Sequence, residues 1–295
     1  MALIDRISTS SQHLQSMDSL SATQNRLARL QEQVSSGKAF QRASEDPSAV
    51  QSAMKLSSAQ KRNAQAALNI DTGLLRLQTA QIQVDSVTEN LLRAQSIVRQ
   101  GQLASTTASE RAALAAEIDV ILGGLRVAAN SDFAGRQLFA GTSAAATAYD
   151  ASGNYLGDTN QVLARIDSDS TVRTELNGTE IFGVGAANAF ATLTSISSNL
   201  INDPGSLAAD ETALNANVAT AVNAQVTIAS RINQLNGLGQ LIADKDVSLT
   251  GALSNVQDTD LMKTIMELTL EQTGYQAALQ ATASVMQPSL MDFLR

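Results

Sequence analysis

Histidine occurs once in this chain, at His13, and cysteine does not occur at all. Without a thiol there is no disulfide, no cysteine-based metal site and no thiol catalysis, and one imidazole cannot build a histidine zinc cluster. A serine nucleophile would have to use His13 as its base, and the sequence has no GxSxG elbow. His13 lies beside Leu14 in a polar-rich stretch and reads as a surface histidine. "GVGAAN" from Gly183 carries two glycines of a dinucleotide fingerprint but lacks the third glycine and the βαβ context. Asp167 and Asp169 begin like a calcium loop, yet the turn glycine and the closing glutamate are missing. Asp244 with Asp246, and Asp258 with Asp260, read as loop or cap residues. No catalytic, cofactor-binding or metal-ligating residue is therefore assigned, and an enzyme is not expected.

Composition narrows the function further. The chain has 295 residues, 44% hydrophobic but only 3% aromatic, with a net charge of −8. That balance argues against nucleic acid as the main partner, because a phosphate backbone needs a basic footprint. Few rings and many small or unbranched side chains suit thin helical packing. The most apolar stretch, "AALAAEIDVILGGLRVAAN", is interrupted by Glu117 and Asp119, so no membrane insertion is expected. The N-terminal "MALIDRISTSSQHLQSMDSL" lacks the apolar core and cleavage site of a signal peptide. The general secretory route would leave such a chain in the cytosol, unless another export route serves it.

What remains is a set of helices that must position something other than a reaction centre. A first helix is predicted from about Ser8 to Ser36. Leu20, Leu27 and Val34 recur every seven residues, with Met17, Gln24 and Gln31 as the companion seam positions. An ordinary amphipathic surface helix would give a similar short repeat. "SSGKAFQRASEDPSAV" then breaks the pattern. Gly37 suits a left-handed helix stop, and Lys38 sits at the negative helix end. Asp46 is a natural N-cap with Pro47 as first helical residue, and Glu45 adds negative charge at the new helix start.

A second helix is predicted from Pro47 to about Gly101, with Ile70, Leu77, Val84, Leu91 and Val98 seven apart. It would be about 80 Å long and must lie along other helices. A third runs from about Ser109 to Asn130, with Leu114, Ile118, Ile121 and Leu125 on one face. From about Gly141 to Gly185 the helical period disappears. Ser152-Gly153-Asn154 has turn chemistry, and Asn177-Gly178 between two short extended runs signals a hairpin. The same Asn177-Gly178-Thr179 fits a glycosylation sequon, although a turn accounts for it. Helix returns over "AFATLTSISSNLI", breaks at Asp203-Pro204-Gly205, and resumes from about Ala208 to Asp246. Leu214, Val218, Val222, Ile228, Ile232 and Leu235 mark its apolar face, and Gly237, Gly239 and Gly251 loosen its far end.

The last helix has the strongest period. Leu261, Ile265, Leu268, Gln272, Tyr275, Leu279, Thr282 and Met286 alternate steps of four and three. The predicted fold is mainly α: a long antiparallel helical bundle or coiled coil with a small β-rich inserted domain. Residues 1–45 and 251–295 would be terminal coiled-coil helices, 46–140 and 187–250 a helical bundle domain, and 141–186 the β-rich insert. Narrow seams at both termini point to assembly, because an apolar stripe kept to the chain end is normally buried against a partner. The predicted assembly interface is Leu20, Leu27, Val34, Leu261, Ile265, Leu268, Tyr275, Leu279 and Met286. Pairing of the two terminal helices within one chain accounts for part of the same pattern.

Three stretches together resemble the flagellin superfamily of bacterial axial proteins: "LQEQVSSGKAFQRASEDPSAV", "NSDFAGRQLFAGT" and "DTDLMKTIMELTLEQTGYQAALQATASVMQPSLMDFLR". They span roughly the first 140 and the last 100 residues. Glu45 departs from the family's usual aspartate. Within the superfamily, Asp46-Pro47 and the ending "SLMDFLR" are similar to members at the junction between hook and filament rather than to filament subunits. The resemblance implies a structural adaptor that assembles as a ring between the first hook-associated protein and flagellin. A filament subunit and a cytosolic helical scaffold are the alternatives. It also implies that the terminal helices form an inner tube and that Gly37, Asp46 and Pro47 make an inter-layer joint. The β insert would face outwards. Export would run through the flagellar type III apparatus without a cleaved signal peptide, with an export chaperone on the C-terminal helix, to an extracellular place in the flagellum.

Overall fold

The computed structural model describes residues 2–166 and 171–286, with the side chains of 2–10, 12, 13 and 284–286 outside that description. The chain is mainly α, with two small antiparallel two-stranded sheets. Helices α1 (Ala2–Ser36), α2 (Pro47–Gly101) and α3 (Ala108–Ala129) come first. Strands β1 (Asp132–Phe133), β2 (Arg136–Gln137), β3 (Leu163–Arg165) and β4 (Thr171–Arg173) follow. Then come the short α4 (Gly178–Phe182), α5 (Ala189–Asn202), α6 (Leu207–Gln257) and α7 (Leu261–Met286). Contacts divide the chain into two compact units: residues 1–60 with 247–295, and residues 61–246. The sheet-bearing segment belongs to the second unit.

In the second unit, the seven-residue period of α2 is the core. Ile70, Leu77, Val84, Leu91 and Val98 are all buried. Each such side chain withdrawn from water contributes about 1.5–3 kcal/mol. α6 runs antiparallel to α2, as three side-chain bonds fix: Asn63 Nδ2 to the Ile242 carbonyl (2.9 Å), Gln225 Nε2 to Asp85 Oδ1 (2.7 Å) and Gln102 Nε2 to Glu211 Oε2 (3.0 Å). α3 begins in a capping box, with the Glu110 amide donating to Thr107 Oγ1 and the Thr107 amide to Glu110 Oε2. Its Leu114, Ile118, Ile121 and Leu125 are buried, and α3 packs on α5.

α6 differs from the sequence expectation in two ways. It continues unbroken to Gln257, through Gly237, Gly239 and Gly251. A helical glycine costs about 1 kcal/mol against alanine, but Leu235 and Ile242, buried on either side of Gly237 and Gly239, anchor that stretch of the helix. Val222 is exposed; of the expected face Leu214, Ile228 and Leu235 are buried and Val218 and Ile232 partly buried, and Asn217, Ala221 and Ala224 fill the gap between them.

The segment between α3 and α5 holds most of the chain's few rings. Phe139, Tyr149, Tyr155, Phe182 and Phe190 form one cluster with ring centroids 4.8–6.1 Å apart. β1 and β2 are joined through Ala134 and Gly135, both at positive φ (52° and 78°), a two-residue turn just past the helix that the sequence predicts to end at about Asn130. The Tyr149–Tyr155 bridge closes the turn at Gly153, whose φ is +80°. The hairpin expected at Asn177-Gly178 is not there. β3 pairs with β4 upstream, and Asn177 precedes α4, with its amide donating to Glu180 Oε2 (2.9 Å). Gly178 is required by space: a Cβ there would lie 2.7 Å from Tyr149 Cε2 and 2.9 Å from Tyr155 Cε2.

Candidate assembly interface

The first unit is built on α1 and α7, which pack against each other. Backbone bonds at their meeting point set the direction: the Thr259 amide donates to the Gly37 carbonyl (2.9 Å) and the Ala39 amide to the Gln257 carbonyl (2.8 Å). Farther along, Arg26 Nε and Glu271 Oε1 are 2.8 Å apart. The two helices are therefore antiparallel.

Only one narrow stripe of each helix faces the other. On α1 the half-buried residues are Ser16, Leu20, Thr23, Leu27, Leu30 and Val34, with Glu32 and Gln33 beside them at the C-terminal end. Leu20, Leu27 and Val34 lie where the sequence period puts them. The companion positions do not: Met17, Gln24 and Gln31 are exposed, and the seam uses their neighbours Ser16, Thr23 and Leu30. On α7 the covered residues are Thr264, Leu268, Glu271, Tyr275, Ala278 and Thr282. Leu268 and Tyr275 are thus in the intrachain seam. Leu261, Ile265 and Leu279 are exposed (48%, 46% and 44%). The side chain of Met286 and everything from 287 on, including "SLMDFLR", lie outside the described residues, as do Asp167, Asp169 and the His13 side chain.

Among the described residues, a second face of α7 is exposed. Met262, Met266 and Leu270 are 72%, 62% and 74% exposed, and with Leu261, Ile265 and Leu279 they widen the apolar surface of α7 well beyond the stripe that α1 covers. A helix of that kind is normally covered on more than one side. Among the described residues of α7 only Lys263, Glu267 and Glu271 carry charge, and Lys263 faces Glu267 at 3.9 Å.

The joint between α1 and α2 is built by backbone and carboxylate chemistry. Gly37 has φ +70°, and its amide donates to the Gln33 carbonyl (2.8 Å), ending α1 in the left-handed conformation. Gln33 Nε2 then reaches over to the Ala39 carbonyl (2.7 Å). Asp46 Oδ1 accepts from the Ala49 amide (2.9 Å), the Ser48 amide (3.1 Å) and Ser48 Oγ (2.8 Å), so it caps α2 at Pro47. The Ala49 amide, then the Ser48 hydroxyl, hold the Asp46 carboxyl below its ordinary range. Glu45 does not point at the new helix. Its Oε2 turns back to accept from the amides of Gln41 and Arg42, which lower its carboxyl in turn. Phe40, unmarked in the sequence reading, is the buried residue of the joint at 8% exposure. Beside it a cleft of about 340 Å³ is lined by Arg29, Glu32, Gln33, Lys38 and Glu45, among others.

Among the described residues no group of histidine, cysteine or carboxylate side chains could hold a metal, and no helix is long and apolar enough to cross a membrane. The family model for the bacterial flagellin N-terminal helical region matches residues 7–144. Flagellar hook-associated protein 3 of Salmonella typhimurium is 27% identical, over 98% of this chain and 100% of its own length. The protein of the same name from Escherichia coli is 26% identical, over 94% and 95%. A solved structure of a flagellar hook-associated protein from Vibrio parahaemolyticus shares the fold, with a TM-score of 0.67 at 20% identity over 72% of this chain and 100% of that one. The chain is thus similar along nearly its whole length to two proteins named flagellar hook-associated protein 3, with the likeness to the flagellin N-terminal region over residues 7–144, and is a structural protein, not an enzyme.

Proposed function

We propose that this chain is a structural adaptor of the bacterial flagellum that assembles as a ring at the junction between hook and filament. One observation carries the reading: α7 is covered by α1 along one stripe and leaves Leu261, Met262, Ile265, Met266, Leu270 and Leu279 uncovered. Burying such side chains against neighbouring copies contributes about 1.5–3 kcal/mol each, which favours the assembled form. Full-length similarity to two proteins named hook-associated protein 3 supports placing the ring at the junction.

On this reading the terminal helices, 1–45 and 251–295, form the inner layer of the ring. Gly37, Asp46 and Pro47 make the joint to an outer helical layer, with 141–186 farthest out. The neighbours are the first hook-associated protein on one side and flagellin on the other. An export chaperone covers the apolar C-terminal helix until the chain leaves through the flagellar type III apparatus. Immunogold labelling of sheared flagella with an antibody against residues 145–182 tests it. Label confined to the hook end of filaments supports the junction. Label along the whole filament makes the chain a filament subunit, and protein retained in cells with no label removes the flagellar role.

A further inference from the structure

Glu175 lies between β4 and α4 with its side chain 1% exposed, and its carboxylate is paired with Arg76 of α2, itself 9% exposed. Neither carboxylate oxygen receives an aligned N–H, and Arg76 Nε also lacks a partner. The groups that act on the Glu175 carboxylate are Arg76 from α2, Arg136 from β2, Arg173 from β4 and the Tyr155 phenol; Arg231 from α6 reaches its backbone, and Glu180 from α4 lies beyond on Arg173. Arg231 Nη1 donates to the backbone carbonyl of Glu175 (2.6 Å), not to its carboxylate. Arg173 is committed to Glu180 in a two-point contact. Arg136 Nη2 donates to the Gly141 carbonyl.

We propose that Glu175 is a proton-operated latch, which takes up a proton when the 171–182 stretch closes on α2 and α6 and so holds that stretch more tightly in mild acid than in alkali. The contrast with Glu180 supports it. That carboxylate is 42% exposed, has both oxygens on Arg173, and accepts the Asn177 amide. Although burial opposes it, those bonds keep Glu180 below its ordinary range. Glu175 has burial without such bonds. Burial, opposed by Arg76 and then Arg136, pushes its carboxyl up to about 7. Burial also pulls Arg76 below its ordinary value, so both members of the pair resist being charged there.

A folded-state value raised above the ordinary 4.5 gives a stabilisation fully present below 4.5 and lost as pH rises through about 7. The test is hydrogen exchange at the amides of 171–182 in the full chain, corrected for intrinsic rates, from about pH 5 to about pH 8.5. Relative to Glu175→Gln, the opening equilibrium of the unsubstituted chain should rise by up to roughly tenfold per pH unit in the middle of that range. Parallel profiles for the two proteins overturn the latch, as does tighter closure of the unsubstituted chain in alkali. Should Glu175→Gln fail to fold, carbon-13 titration of the glutamate carboxyls in the unsubstituted chain decides. Glu175 titrating near 7 supports the latch; titration in the ordinary carboxylate range removes it.

Discussion

Arg26 of α1 and Glu271 of α7 meet at 2.8 Å and fix the register in which the terminal helices pair. From Gly37 back to Arg26 is 11 residues, and from the bonded Thr259 on to Glu271 is 12. The two helices thus travel nearly equal distances, about 17 and 18 Å at 1.5 Å per residue. Neither can slide against the other without breaking a contact at one end. The ion pair itself is more than half exposed on the arginine side, so its energy is small, about 0–1 kcal/mol. The inward stripe of α7 is set with it by the backbone bonds at Gly37 and by the cover over Leu268 and Tyr275, and the opposite stripe is left exposed.

That division predicts opposite behaviour for two nearby leucines. Leu268 is half-buried against α1, whereas Leu270 is 74% exposed. Leu268→Asp puts a charge into the intrachain seam and should weaken the helix pair by about 2–3 kcal/mol, leaving the 61–246 unit folded and blocking incorporation. Leu270→Asp should change the stability of the free chain by less than about 0.5 kcal/mol and still block incorporation. Thermal unfolding of the purified variants, with their recovery in sheared flagella, checks both. Normal incorporation of Leu270→Asp would sink the proposal that this face is an interface.

Gly37 offers a test that does not touch packing. A Cβ there meets nothing within 4 Å, but φ is +70°. Gly37→Ala should therefore destabilise the joint by about 1 kcal/mol and Gly37→Val by about 2, a purely conformational ladder. Equal melting temperatures for the three proteins would mean that the backbone at 37 relaxes freely.

The sequence made the long elements legible and misread the phase of the narrow ones. α2 repeats five bulky residues at a strict seven, so its buried face was unambiguous. In α1 and α7 one set of the expected positions is covered within the chain and the covered companion set lies one residue away from the expected one. Steps of three-then-four and four-then-three are equally good helix stripes, and polar residues fill half of both. Leu30, apolar beside the polar Gln31, was the available clue in α1. In α7 the expected phase holds the bulkier apolar residues Ile265 and Leu279, whereas the covered positions are Thr264, Glu271 and Ala278, so only the partner helix could choose. Asn177-Gly178 failed for a different reason. Its glycine answers a steric demand from Tyr149 and Tyr155, which are more than twenty residues away and invisible to a local turn rule.

Gly178→Ala should accordingly destabilise the second unit although alanine favours helix. The added methyl falls inside contact distance of both tyrosine rings, and an overpacked site costs about 1–3 kcal/mol. Denaturant unfolding followed by tyrosine fluorescence checks it. A variant as stable as the original would show that the Tyr149–Tyr155 pair can shift without loss.

Asp46 gives the joint an acid dependence opposite in sign to that of Glu175. Its carboxylate holds the amides of Ser48 and Ala49, and those bonds favour the charged form, so its folded value lies below the ordinary 3.8. A lowered value means the stabilisation is present above about 3.8 and is lost as pH falls through the folded value. Glu45, lowered by the Gln41 and Arg42 amides, adds to the same acid loss. Asparagine is also a good N-cap but does not titrate in this range. Asp46→Asn should therefore keep the Ala49 amide protected at neutral pH and flatten the acid loss of that protection. Hydrogen exchange at Ser48 and Ala49, compared between the two proteins from about pH 2.5 to about pH 6, separates the cap from general acid unfolding. If both proteins lose protection at the same pH, the Asp46 charge does not govern the start of α2, and the joint is held instead by Gly37 and the burial of Phe40.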